Sequence, residues 1–148
     1  MQKTVFKTQK MDKTFQILYF GLMIFLLGIA IFTSIVEKDP MAFYVMGGLV
    51  LFLGLVISSS FFNMKIVIEN GELKIINFFN WYKTDVSQIT KIRKGETMWS
   101  GLHKYGTATK GLIIFARYKN DLYITPENEE LFYQKILEQN PDVIIEKV

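Results

Sequence analysis

The chain of 148 residues carries 17 Lys and Arg against 14 Asp and Glu, is half hydrophobic, and has one histidine and no cysteine. The lack of cysteine excludes a disulfide framework, a thiolate metal site and a cysteine nucleophile. The net charge of +3 is matched by Lys3, Lys7, Lys10 and Lys13 against Asp12, so the remainder is near neutral and gives little support to nucleic-acid binding.

Residues 1–14 form a polar, basic N-terminal segment. Two apolar runs follow, Phe15–Val36 and Met41–Phe62, each of 22 residues and each without Asp, Glu, Lys, Arg or His. At about 1.5 Å per residue each reaches roughly 33 Å as a helix, against a hydrocarbon layer of about 30 Å. Lipid offers the backbone no hydrogen-bond partners, so both runs are predicted helices of a transmembrane hairpin, with residues 37–40 as its external loop. Pro40 suits the start of the second helix. A cleavable signal peptide fits less well: signal cores run to about 15 residues and end at small-x-small sites, which Thr33-Ser34-Ile35-Val36 is not. Lys3, Lys7, Lys10 and Lys13 before the hairpin and Lys65, Lys74 and Lys83 after it outnumber Lys38 in the loop. The positive-inside rule then places both termini in the cytoplasm.

Gly21 and Gly28 lie seven residues apart, as do Gly47 and Gly54, so each helix carries a small-residue stripe where backbones can approach. The stripes are expected to pack the two helices of one hairpin together; the other reading is a homo-oligomer formed through them. The spans hold no ionisable group, which argues against an ion path or proton relay.

Beyond Asn63 the period changes to that of strands, and residues 63–148 are expected to form one small cytoplasmic domain. Met64–Glu69 and Glu72–Phe79 flank Asn70-Gly71, a strong hairpin signal. A two-residue turn there makes paired positions sum to 141. Tyr82–Val86 and Ile89–Glu96 read as further strands around turn formers at Asp85–Gln88. Gly95–Lys110 reads as a glycine-rich loop, and Gly111–Tyr118 with Asp121–Thr125 as a last hairpin. A helix then begins, with Thr125 as its expected cap, Pro126 in its first turn and Glu127, Glu129 and Glu130 at its positive end. Leu131, Phe132, Ile136 and Leu137 share its apolar face, and Asn140-Pro141 ends it.

Leu112-Ile113-Ile114-Phe115, Leu122-Tyr123-Ile124-Thr125-Pro126-Glu127-Asn128, Phe132 and Asn140-Pro141 together resemble the bacterial PH-like (pleckstrin-homology-like) proteins. Val86-Ser87-Gln88-Ile89-Thr90-Lys91-Ile92 resembles their turn into the fourth strand. The resemblance covers roughly Ile66 to Asp142. It implies a mainly-β domain, an antiparallel barrel or sheet of six to seven strands capped by a C-terminal α-helix, after membrane helices in a bacterial inner membrane. It implies no established activity, so no functional residue carries over. Eukaryotic relatives that bind phosphoinositides use basic residues at the first hairpin. Here that hairpin is Glu69-Asn70-Gly71-Glu72, acidic and about 23 Å of strand from Phe62, so such binding is not expected.

Two surface features remain as candidate contact sites. The register returns the Phe78-Phe79-Asn80-Trp81-Tyr82-Lys83 turn to the bilayer, where its aromatic and basic residues suit the interface; the alternative is that the rings fill the core. Lys91, Arg93 and Lys94 form a basic strand end, expected as a solvated face, with contact to anionic lipid or an acidic partner as the other reading. His103 is a lone histidine in a loop, no second histidine serves a nucleophile, and no spacing suggests a metal site. Met98-Trp99-Ser100-Gly101-Leu102 is expected to fold over the end of the barrel. The expectation is therefore a non-enzymatic, membrane-anchored interaction or scaffolding module without a cofactor, with a protein partner as well as the bilayer. The alternative is lipid or small-ligand sensing at the inner membrane surface.

Overall fold

A computed structural model describes residues 3–38 and 40–148. It divides into two compact units, one of helices over Lys13–Phe62 and one combining the N-terminal residues up to Asp12 with Asn63–Val148.

The helical unit consists of α1, Lys13–Glu37, and α2, Pro40–Phe62. Pro40 opens α2 as expected, while Asp39 of the anticipated loop lies outside the described residues. α1 is long and apolar enough, by length and composition, to cross a membrane; within α2 the apolar stretch described throughout is the shorter Phe43–Ser59. The helices meet through Ala30 and Val50, both buried, and through Gly54. Tyr19 donates its phenol proton to the Gly54 carbonyl at 2.8 Å, and its oxygen lies 2.8 Å from Ser58 Oγ. This packing corrects the expectation of paired glycine stripes. A Cβ on Gly54 would meet Met23, but one on Gly21, Gly28 or Gly47 would meet nothing within 4 Å. Seven-residue spacing placed the four glycines on common faces; it did not reveal that Tyr19, Met23 and Ala30 supply the contacting face of α1.

The second unit is mainly β, with two open sheets instead of one closed barrel. Strands β1 (Thr4–Lys7), β2 (Lys65–Glu69), β3 (Glu72–Ile76) and β4 (Asn80–Asp85) form an antiparallel sheet in that order. The β2–β3 register holds the sum of 141 from Glu69↔Glu72 to Lys65↔Ile76. Asn70 and Gly71 both take positive φ, 54° and 78°, as a turn matched to strand twist requires. A 3-10 turn over Val86–Gln88 leads to the second sheet, and the Asp85 carboxylate accepts from Ser87 N at 2.8 Å to start it. That sheet contains β5 (Ile89–Lys94), β6 (His103–Lys104), β7 (Leu112–Ala116), β8 (Leu122–Ile124) and β9 (Ile144–Lys147), in the order β6-β8-β7-β5-β9. β5–β7 and β7–β8 are antiparallel, whereas β5–β9 and β6–β8 are parallel.

Helix α3 spans Glu129–Leu137 and is not the last element, because β9 follows it. Its cap is Asn128, whose Oδ1 accepts from Leu131 N at 3.0 Å. Thr125, the expected cap, is instead buried and accepts from Thr107 N at 3.1 Å. α3 delivers Phe132, Tyr133 and Ile136 to a core that also contains Ile66, Leu73, Ile92, Ile114 and Leu122. Burying a side chain such as Phe132 stabilises the fold by about 1.5–3 kcal/mol.

The basic N-terminal segment belongs to this unit. β1 pairs with β2, and its Phe6 packs edge-on to Phe132 with ring centroids 5.5 Å apart. Beyond it Thr8 donates to the Met64 carbonyl at 3.1 Å, and Gln9 N donates to the Thr125 carbonyl at 2.7 Å. The Asp12 carboxylate accepts from Thr109 N at 2.6 Å and from its hydroxyl at 2.5 Å. The segment thus joins the first sheet to the second.

Candidate functional site

Three surfaces of the β unit have the character of a contact site. The first lies at the end of the sheet where β2 begins. Asn77, Phe78 and Phe79 turn the chain, with Asn77 N donating to the Phe79 carbonyl at 3.1 Å. The register then shifts, pairing Ile75 with Tyr82 but Ile76 with Asn80, so Trp81 is the extra residue of a bulge. Phe78, Phe79 and Trp81 are 69%, 74% and 51% exposed. Tyr82 departs from the expectation of an interfacial residue: strand alternation turns it inward, where it is 5% exposed and donates to the Asn120 carbonyl at 3.3 Å. Lys83 is exposed and paired with Glu72 at 2.5 Å.

A second turn meets this one. Between β7 and β8, Arg117, Tyr118 and Lys119 are exposed, and Tyr118 sits at a φ of 62°, uncommon for an aromatic residue. Lys119 donates to the Lys83 carbonyl at 2.5 Å and lies 5.6 Å from the Tyr82 ring centre. A hollow of about 580 Å³ lies between the Asn80–Lys83 part of β4 and the second turn, and His103 also lines it. His103 stacks edge-on to Tyr82 at 4.9 Å, with its Nδ1 3.1 Å from the Tyr105 hydroxyl. Trp99 and Leu102 are exposed and do not close the end of the sheet as expected. The second turn was expected as the connection of the last hairpin but not as part of a contact surface; the run Arg117-Tyr118-Lys119 was the signal for that.

The second surface is the basic strand end on β5. Lys91 lies 3.4 Å from Glu146, Arg93 lies 3.0 Å from both Glu146 and Glu96, and Lys94 lies 2.5 Å from Glu129. Hydrogen bonds to these carboxylates hold Arg93 and Lys94 further toward their charged forms, and those from Arg93 and Lys91 push Glu146 below the usual carboxylate range. Lys91 and Arg93 also lie over the Phe115 ring, at 4.8 and 5.4 Å. Three cations thus face three carboxylates, and β9, which supplies Glu146, could not be seen from strand patterning.

The third surface is a groove of about 970 Å³ between α3 and β9, lined by Leu131, Leu137 and Ile145 and edged by Glu130, Glu138 and Lys147. Tyr133 lies in its wall; its hydroxyl is buried and has no hydrogen-bond partner among the described residues, and burial pushes its ionisation up. β9 ends its sheet, so its outer main-chain groups have no neighbouring strand among the described residues.

Two open sheets that share one core with the helix α3 define a small, mainly-β domain. The family model of the bacterial PH domain matches residues 64–140, a little over half the chain, and the protein belongs to that family. No curated protein and no solved structure matches the chain. Strands β1 and β9, one at an edge of each sheet, lie outside the matched span.

Proposed function

We propose that the protein is a non-enzymatic, membrane-anchored interaction module that holds a protein partner beside the bilayer, with its β unit on the cytoplasmic face. The observation that carries the interaction reading is the groove along α3. Leu131, Leu137 and Ile145 give it an apolar floor, and the open edge of β9 offers unpaired main-chain groups. That combination suits an extended segment of a partner, which gains affinity from main-chain hydrogen bonds and specificity from side-chain pockets.

The pairing of β1 with β2 bears on the form of the anchor. β1 precedes α1 and β2 follows α2, and strands of one sheet share one side of a bilayer. If α1 crosses, the chain must cross back before Lys65, which favours two spans over one. The lysine bias then favours the cytoplasm for both flanks.

A photo-crosslinking residue at Leu131 in the full-length chain, activated in native membranes, tests the interaction. A discrete protein adduct, absent when the residue is placed at Ser100, is expected; lipid adducts alone would overturn the reading. Because the chain lacks cysteine, single cysteines test the topology. In intact cells an impermeant maleimide should label Lys38→Cys and leave Ser87→Cys unlabelled, and the reverse pattern would invert the orientation.

A further inference from the structure

The geometry points to a bilayer-seating surface formed by the β3–β4 and β7–β8 turns, which sets Phe78, Phe79, Trp81 and Tyr118 into the headgroup layer of an anionic membrane, with Arg117 and Lys119 meeting its phosphates. It rests on the reading of α1 and α2 as a bilayer hairpin. Trp81 and Tyr118 line one hollow and are 51% and 97% exposed, and Phe78 and Phe79 are exposed in the turn that leads into Trp81. Aromatic residues with an apolar ring and a polar edge are favoured where a bilayer meets water.

Chain length argues for the occupant. Only Asn63 and Met64 separate the last residue of α2 from β2, so Phe62 and Lys65 lie at most about 11 Å apart. Lys65 pairs with Ile76, the last residue before the Phe78-Phe79 turn. An apolar patch so tethered lies within reach of whatever surface receives α2.

Charge argues the same way. No carboxylate lines the hollow between the turns. Lys83 is already engaged by Glu72, so the cations left to meet lipid are those of the second turn. Lys119 is held by a carbonyl and a ring face, and neither it nor Arg117 has an ion pair among the described residues. Asp121 follows in the chain and is exposed, which leaves the turn with one net positive charge. A single interfacial cation adds only a modest attraction to an anionic leaflet, so the aromatics carry the seating and the cations bias it toward anionic lipid.

The test uses the full chain with Trp99→Phe, leaving Trp81 as the reporter, reconstituted into phosphatidylcholine vesicles containing phosphatidylglycerol and lipids brominated at graded depths. Trp81 is expected to emit to the blue of a solvated tryptophan and to be quenched most by the shallowest bromines. Arg117→Glu with Lys119→Glu should reduce that quenching several-fold. A companion chain with Phe25→Trp, Trp81→Phe and Trp99→Phe reports α1, whose deep quenching tests the hairpin separately. Quenching of the α1 reporter without quenching of Trp81 would overturn the seating and leave the hairpin standing. Absence of both would overturn the hairpin as well. Trp81 quenching that ignores the charge reversals, or is equal in vesicles lacking phosphatidylglycerol, would overturn the role given to anionic lipid.

Discussion

Tyr123 holds the glycine-rich loop to the second sheet with a single oxygen. Its buried hydroxyl accepts from Gly111 N at 3.0 Å and donates to the Ala108 carbonyl at 2.5 Å. Gly106 lies against the ring, where an added Cβ would stand 2.6 Å from Cε1. Tyr123→Phe leaves a buried donor and acceptor unmade and is expected to destabilise the chain by about 1–3 kcal/mol in denaturant titration. Tyr133→Phe is a contrast, because that hydroxyl has no described partner, and little or no loss of stability is expected. Glu146 gives a residue-scale pH dependence. Its carboxyl titrates below the ordinary 4.5 because of Arg93 and Lys91, so the stabilisation is fully present above that value and is lost as pH falls through the lower folded one. The protection of the amides of residues 144–147, taken relative to their intrinsic exchange rate at each pH, should therefore fall below pH 4.5, and Glu146→Gln should remove the acid-dependent part of that change.

At the level of elements, legibility followed the range of the interaction that makes each one. The Asn70-Gly71 hairpin was readable to the residue because a two-residue turn with positive φ dictates its own register. Apolar length likewise revealed α1 and α2, and hydrophobic spacing revealed α3, although the cap moved from Thr125 to Asn128 once the chain ran straight through Pro126. β1 and β9 were not legible. Each is four residues long, and β1 buries one side chain while β9 leaves Ile144 exposed, so neither shows a pattern of its own. Both depend on a partner strand more than fifty residues away. The candidate site shared this limit: the aromatic turn was visible, but its meeting with Arg117-Tyr118-Lys119 and the neutralisation of β5 by Glu146 required tertiary structure. Helix packing gives a prediction at the same scale. Gly54→Leu should lower the thermal midpoint of the full chain in detergent by crowding Met23 and Tyr19, whereas Gly28→Leu should leave it unchanged.

For the whole molecule, the N-terminal segment matters beyond its length. Phe6 is 4% exposed and packs on Phe132, so Phe6→Ala should cost about 3–5 kcal/mol, measured on the full chain in detergent with near-ultraviolet circular dichroism as the readout. The loss should appear in the β unit and spare the helical signal of the hairpin. The same pairing bears on biogenesis. Phe6 meets Ile66, sixty positions later in the chain. β1 must therefore wait, unsheltered, while both apolar helices and the second strand are made. The sheet is thereby completed late: until residues 65–69 are made, the N-terminal strand has no neighbour and offers proteases an unfinished domain.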